Sequence, residues 1–205
     1  MPILVLALIG VGGCSVPGLW KYVAENDEAA AGDGAFNAVS YVGGIWESQV
    51  LPTVQERAVD ATVLLPAIAA DSKAATTTYG VASASGGSPS FLIKGSGPVT
   101  AVDAESPNGV ITVSVAGAQV KMVTGPVIIG TALRDAVGFI KFSDFINQID
   151  FANVATQLNA KVKTDVSTTV TLDDSLVGKT LSFAGAFTLL SPTDITVVPT
   201  SLSVS

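Results

Sequence analysis

The spacing of apolar residues changes once along this chain, and that change constrains the fold more than any other feature. Between residues 37 and 65 apolar side chains recur every three or four residues, which is typical of helices with one buried face. Pro52 interrupts this stripe, so we expect two helices or one kinked helix. Asp71 and Gly80 then bound a further short helix, as its N-cap and its C-terminal glycine. Residues 81–90 are small and polar, which predicts a loop.

Beyond residue 90 apolar and polar residues alternate, which is typical of strands with one buried face. Three strands are predicted, then a helical insert, then two strands, and the strand segments are 91–105, 110–116, 119–130, 178–188 and 195–204. We therefore expect an α+β protein: an N-terminal helical segment followed by a small OB-like antiparallel β-barrel with a helical insert between strands three and four. A generic small barrel or sandwich is the alternative. The helical part (36–80) and the barrel part (90–205) are expected to form one compact unit.

Irregular features of the barrel are also predicted. Gly95 and Gly97 are expected to allow a bend or a bulge in the first strand. A bulge or an edge position is expected at Pro199, because the inward-facing positions of the last strand change parity there. Residues 131–139 are expected to be irregular.

The helical insert carries two apolar stripes that are out of phase by nearly half a turn. The first is formed by Phe142, Phe145, Ile146 and Ile149, and the second by Phe151, Val154, Ala155, Leu158 and Val162. A single straight helix would expose one of the two stripes. We therefore expect a helical pair with a break near Asp150, which can cap the second segment.

The N-terminus has the pattern of an export signal. Residues 3–13 form an uncharged apolar run that ends in Gly12 and Gly13, directly before Cys14. A membrane-spanning helix needs about 20 apolar residues, so this run is too short to span and has the length of a signal-peptide apolar region. We expect residues 1–13 to be a signal peptide, Cys14 to be the lipid-modified mature N-terminus, and residues 14–35 to be a tether. No Lys or Arg precedes the run, which is unusual for such a signal, and an apolar strand or helix of the fold is the alternative for residues 3–13.

The composition excludes several classes of function. The chain has no His and a single Cys, so a Ser-His-Asp triad, a Cys-His pair and a zinc site are excluded, and no cofactor is expected. The net charge is −7, and there are only two arginines and no cluster of basic residues, which argues against nucleic-acid binding. The acidic balance equally disfavours electrostatic docking to anionic lipid.

One of the two arginines, Arg134, marks the best candidate site. Its planar guanidinium can hold a carboxylate or vicinal hydroxyls, and neighbouring polar side chains could complete a site for a sugar or another small polar ligand. These neighbours are Asp135, Asp144, Asn147 and Gln148. The alternative is a structural ion pair of Arg134 with Asp135 or Asp144.

Acidic residues raise two other possibilities. Two carboxylates among Asp135, Asp144 and Asp150 could act in glycoside hydrolysis if a cleft separates them suitably. Calcium could bind at Asp103 with Glu105, or at residues 173–174, although neither has EF-hand spacing.

Residues 125–159 (GPVIIGTALRDAVGFIKFSDFINQIDFANVATQLN) resemble the most characteristic segment of an uncharacterised family of predicted periplasmic lipoproteins. Further similar segments are 35–52, 77–80, 94–109 and 178–187. The resemblance implies an exported lipoprotein in the periplasm or on the extracytoplasmic face, and members are considered alongside sugar-uptake ABC transport systems. It implies no activity.

Three functions are therefore considered. The first is a non-catalytic, lipid-anchored binding or accessory protein linked to sugar uptake, with a small polar ligand. The second is a structural or assembly factor that binds another envelope protein, and the third is a carboxylate-dependent hydrolase. An open pocket containing Arg134, Asn147 and Gln148 would favour the first, and a buried Arg134 ion pair with an exposed apolar patch would favour the second. In each case the membrane is a partner through the N-terminal lipid, and nucleic acid is not.

Overall fold

The computed structural model describes residues 36–82 and 87–205. The predicted signal peptide, Cys14 and the predicted tether lie outside the described residues. The helices are α1 (Ala38–Ile45), α2 (Leu51–Arg57), α3 (Ala61–Ala70), α4 (Ser72–Tyr79), α5 (Ala132–Ala136) and α6 (Gln148–Lys161). The strands are β1 (Val59–Asp60), β2 (Gly80–Val81), β3 (Ser90–Asp103), β4 (Val110–Val115), β5 (Ala118–Val123), β6 (Thr180–Thr188) and β7 (Ile195–Val204). Within these two ranges no helix has both the length and the apolar character needed to cross a bilayer.

Five strands form a closed barrel. β3 pairs with β4, β4 with β5, β5 with β7, β7 with β6, and β6 returns to β3. Every pair is antiparallel except β5 and β7, which are parallel. The helical insert lies between the third and fourth barrel strands, so the predicted α+β class and OB-like barrel are confirmed.

The first barrel strand, β3, is long because it belongs to both sides of the barrel. Residues 90–98 pair with β6, and from Val99 onward the strand pairs with β4. At this change of partner a Cβ on Gly97 would lie 2.0 Å from the carbonyl oxygen of Ser114, so only glycine fits. The bulge itself follows at Thr100, where the register with β4 shifts. The predicted irregularity near the two glycines is therefore confirmed.

The last strand contains the bulge expected around its proline. Ala184 pairs with Ser201 and Gly185 pairs with Pro199, which leaves Thr200 as the extra residue. Because of this extra residue, apolar side chains on both sides of Pro199 can face the barrel interior although their numbering changes from odd to even.

The N-terminal helices differ from the prediction at one point. The chain stays helical from α1 to α2 because a π-helical turn, Trp46–Val50, lies between them and Pro52 falls in the first turn of α2. The break comes at Ala58, and β1 then adds a short parallel pair to β3. The apolar stretch is therefore divided, as expected, but at Ala58 rather than at Pro52. Trp46, which begins the π-helical turn, is buried in the common core.

The next helix boundaries follow the sequence signals. Asp71 accepts hydrogen bonds from the backbone N–H groups of Lys73 and Ala74, and thereby caps α4. Gly80 follows the end of that helix. Both predicted boundaries are confirmed.

The insert between β5 and β6 corrects two expectations. Residues 132–136 form the short helix α5, where an irregular segment was expected. The segment 142–144 forms only a single 3₁₀ turn, and α6 begins after Asn147, whose Oδ1 accepts the N–H of Asp150 at 2.9 Å. The second helical segment therefore begins earlier than expected and is capped by Asn147 rather than by Asp150, because the asparagine already satisfies the free N–H groups of the first turn.

Candidate functional site

Arg134 lies on α5, and its guanidinium is held on several sides. Its Nε and Nη2 both lie 2.8 Å from Oδ1 of Asp135, and its Nη1 donates to the carbonyl oxygen of Phe151 at 3.2 Å. The guanidinium carbon also lies 3.6 Å from the centroid of the Phe151 ring, which is a cation–π contact. The other oxygen of Asp135 accepts a hydrogen bond from the Thr131 hydroxyl at 2.7 Å.

These contacts connect α5 to the first turn of α6. Only 8% of Arg134 is exposed, so its charge is directed at the protein rather than at solvent. This is the arrangement of a structural ion pair, the alternative that the sequence left open. Arg57, the other arginine, likewise donates to a backbone carbonyl, that of Val137, at 2.9 Å.

The remaining candidate residues lie on the turns that precede α6 and on its first turn. Asp144 Oδ2 accepts the backbone N–H of Lys141 at 3.1 Å, and the Asn147 amide donates to Asp150 at 2.8 Å. Asp144, Asn147 and Gln148 are all exposed. In the described part of the chain no hydrogen bond or ion pair joins them to Arg134. Ligand binding by the five candidate residues stays a prediction.

Two cavities of the described surface are lined by residues other than the five candidates. The larger, of about 460 Å³, is lined by Val102, Asp103, Ala104, Glu105, Leu172, Asp173 and Asp174. The smaller, of about 170 Å³, is lined by Pro126, Ile128, Thr156, Asn159, Ala160 and Lys163.

The carboxylates of the larger cavity take part in local turns. Hydrogen bonds from the side chain and backbone of Ser175 hold the pKa of Asp173 below its usual range. Asp103 accepts the N–H of Ser106 at 3.0 Å. Residues 36–82 and 87–205 contain no group of three or more His, Cys, Asp or Glu side chains placed to hold a metal ion. No such group is therefore present at either place considered for calcium, Asp103 with Glu105 or residues 173–174.

The outward face of β4 and β5 is polar and partly cross-linked. Thr100 Oγ1 donates to Gln119 Oε1 at 2.9 Å, and Lys121 Nζ lies 3.0 Å from Asp194 Oδ1. OB folds that bind oligonucleotides use this face with stacking aromatic rings and basic residues. The outward residues of these two strands are Val110, Thr112, Ser114, Gln119 and Lys121, and none of them is aromatic.

A surface that the site prediction missed lies where α1 meets the insert. Five aromatic rings form a chain of contacts there, with neighbouring centroids 5.2–5.6 Å apart: Phe36, Tyr41, Phe145, Phe151 and Phe142. Burial, and secondarily the nearby charge of Asp144, raises the pKa of Tyr41.

The same segment of the insert also carries strongly exposed apolar side chains. Ile146 is 93% exposed, Ile149 71% and Phe142 52%. We call these three side chains, together with the rings of Phe145 and Phe151, the apolar patch. Its members include the whole first apolar stripe of the insert, so the sequence contained the signal, but burial had been expected for that stripe.

A closed five-stranded barrel with a helical insert between its third and fourth strands defines an OB-fold protein. The chain belongs to the family described as predicted periplasmic lipoprotein (DUF2291), whose model matches residues 4–203. This membership confirms the predicted periplasmic, membrane-anchored localisation.

Comparison with solved structures supports the same fold. The chain is similar to an OB-fold protein from Thermotoga maritima, with a TM-score of 0.69 and 21% sequence identity, over 84% of this chain and 100% of that chain. At this identity the likeness concerns the fold alone. No curated protein matches the chain.

Proposed function

We propose that this lipoprotein is a non-catalytic accessory protein that binds another envelope protein through the apolar patch. The supporting observation is a contrast between two neighbouring features. The Arg134 charge is satisfied inside the protein, whereas Ile146 and Ile149 project into solvent. Large exposed apolar patches on monomeric proteins commonly mark interaction sites.

The contacts around Arg134 give little support to an enclosed site for a sugar or another small polar ligand. Such sites are concave and place several polar groups around the ligand. Here the guanidinium bonds to Asp135 and to the Phe151 carbonyl, and both described cavities lie elsewhere. A link to sugar uptake would then act through the bound envelope protein rather than through a sugar held at Arg134.

The carboxylates considered for hydrolysis also take part in local structure. Asp135 pairs with Arg134, Asp144 accepts a backbone N–H, and Asp150 accepts a hydrogen bond from Asn147. A glycosidase needs one carboxyl group with a raised pKa as the acid and a second across a cleft. The ion pair and hydrogen bonds of these three groups give each of them a local structural role, which supports a non-catalytic function.

The size of the patch suits the centre of an interface. Full burial of an exposed Ile or Phe side chain contributes about 1.5–3 kcal/mol, and the exposed fractions of Phe142, Ile146 and Ile149 together amount to about two such side chains. Their burial therefore contributes roughly 3–6 kcal/mol before the entropic cost of association. A polar rim around this centre would complete a specific contact.

Photo-crosslinking in the native host tests the proposal. A photoreactive amino acid replaces Ile146 in the full-length chain, and the matched control replaces Leu190, which is 82% exposed and lies between β6 and β7. We expect a discrete protein adduct from position 146 that is absent from position 190. The proposal fails if illumination gives no protein adduct at position 146, or equal adducts at both positions.

The anchor can be tested separately. Cys14→Ser removes the only thiol of the chain, so we expect loss of labelled-palmitate incorporation and release of the protein from membranes. Incorporation of the label at the wild-type level, or retention in the membrane fraction, would contradict lipid attachment at Cys14. Because the substitution lies outside the unit formed by residues 36–205, the stability of that unit is the internal control.

A further inference from the structure

One ring of the apolar patch, that of Phe145, contacts the first described residue of the chain. Phe36 is the first described residue, and its ring lies 5.2 Å from that of Phe145 and 5.6 Å from that of Tyr41. Residues 15–35, twenty-one in number, separate Phe36 from Cys14. Even fully extended, that many residues span at most about 75 Å. The anchor therefore limits how far the domain can lie from the membrane, and the Phe145 ring of the patch contacts the residue at which the described part of the chain begins.

We infer that the partner is an integral membrane protein that presents, next to the bilayer, an apolar surface with Lys or Arg at its edge. This inference rests on the proposed function and names the class of partner for the same patch. Two observations support it: the position of Phe36 and the charges around the patch.

The charges favour a protein over lipid as the occupant. Asp144 and Asp150 lie in the same segment as the patch, with Lys141 as the one opposite charge between residues 139 and 151. Anionic lipid attracts cationic residues by about 1 kcal/mol each, so carboxylates beside an inserting apolar surface oppose insertion. Cationic residues at the edge of a protein partner would complement them.

Confinement to the membrane also explains how a small patch can suffice. Three exposed apolar side chains form only part of a standard interface, which buries about 800 Å² on each partner. When two partners are held in the same membrane, their local concentration is higher than that of two freely diffusing proteins. A contact too weak for two freely diffusing proteins is then occupied, provided that the partner is in the same membrane.

The test compares an anchored and a released form of the chain in the native host. Both carry the photoreactive amino acid at position 146, and in the released form the secretory signal of a soluble periplasmic protein replaces residues 1–14. We expect the adduct yield to fall at least about tenfold on release, at equal protein level. We also expect the cross-linked peptide of the partner to adjoin a membrane-spanning segment and to contain Lys or Arg.

The charges are tested in the anchored form. Asp144→Asn with Asp150→Asn keeps side chains able to accept the hydrogen bonds from the Lys141 N–H and the Asn147 amide but removes both charges, and should lower the adduct yield several-fold. The matched control is Asp103→Asn with Asp173→Asn in the acidic cavity, which should leave the yield unchanged.

The outcomes separate this inference from the proposed function. An equal yield from the released form, or a cross-linked peptide from a soluble periplasmic protein, overturns the membrane partner and leaves protein binding standing. An unchanged yield after removal of the two charges overturns the cationic edge. Adducts to lipid alone, or the absence of any protein adduct, overturn both the inference and the proposed function.

Discussion

Replacing Arg134 distinguishes most directly between a structural and a ligand-binding role for the predicted site. Arg134→Ala removes two charge-assisted contacts with Asp135, the hydrogen bond to the Phe151 carbonyl and the cation–π contact with its ring. Each hydrogen bond involving a charged group contributes about 1.5–3 kcal/mol, and a cation–π contact about 0.5–2 kcal/mol. These contributions overlap, and Asp135 keeps partial access to water. We expect a loss of about 3 kcal/mol in the free energy of unfolding.

Urea unfolding followed by circular dichroism measures this change, and the corresponding fall in Tm is roughly 6–12 °C for a domain of this size. Arg134→Lys should lose about half as much, since a lysine keeps the charge but not the planar fork or the stacking. The matched control is Lys121→Ala, which removes an ion pair that is about half exposed and should change stability by less than about 0.5 kcal/mol.

A loss below about 1 kcal/mol for Arg134→Ala would refute the structural role. The guanidinium would then be free for a ligand, and a screen of sugars by thermal shift would be the next experiment. A shift with one sugar that Arg134→Lys abolishes would restore the small-ligand function.

Glycine positions give two opposite predictions: Gly97→Ala should lower the free energy of unfolding by about 3 kcal/mol or more, because its Cβ would meet the Ser114 carbonyl oxygen at 2.0 Å. Gly43→Ala should raise it by about 0.5–1 kcal/mol, because no atom lies within 4 Å of the added Cβ in α1. If chemical denaturation finds Gly97→Ala more stable than Gly43→Ala, the packing described for these two glycines is wrong. Asp60→Ala should lower stability by about 1 kcal/mol at pH 7, since Asp60 caps α3 through Thr62. Hydrogen bonds from the side chain and backbone of Thr62 lower the pKa of Asp60, so its contribution is present above the ordinary Asp pKa and is lost as the pH falls through the lowered value. Urea unfolding at pH 7 and near pH 2 checks this, and an equal difference at both pH values would contradict it.

The barrel could be predicted from the sequence because its signals are local. Alternation of apolar residues sets each strand, and Gly97 and Pro199 mark the places where the ladder shifts. The helices were harder to place. The chain remains helical through Pro52 because a π-helical turn precedes it. That turn includes Trp46, which is buried in the core shared by the barrel and the helices.

The role of Arg134 could not be predicted for a related reason. Its partner in sequence, Asp135, is adjacent, but the carbonyl and ring that complete its surroundings belong to Phe151, seventeen residues further on. Only the packing of α5 against α6 brings them together. The sequence therefore identified Arg134 as one of only two arginines in the chain. It left open whether this arginine binds a ligand or forms a structural ion pair.

For the apolar patch, the stripe of apolar residues was visible in the sequence, but its exposure to solvent was not predicted. Two stripes out of phase cannot both face one core, and the chain resolves this by starting α6 after Asn147, so that the second stripe is buried and the first is not. A break alone would have allowed the first stripe to turn inward. Instead, Ile146 lies between the turn fixed by Asp144 and the cap formed by Asn147, and its side chain remains exposed. An isoleucine that is 93% exposed contributes little to the stability of the fold. A contact with another protein would account for an apolar side chain at this exposed position.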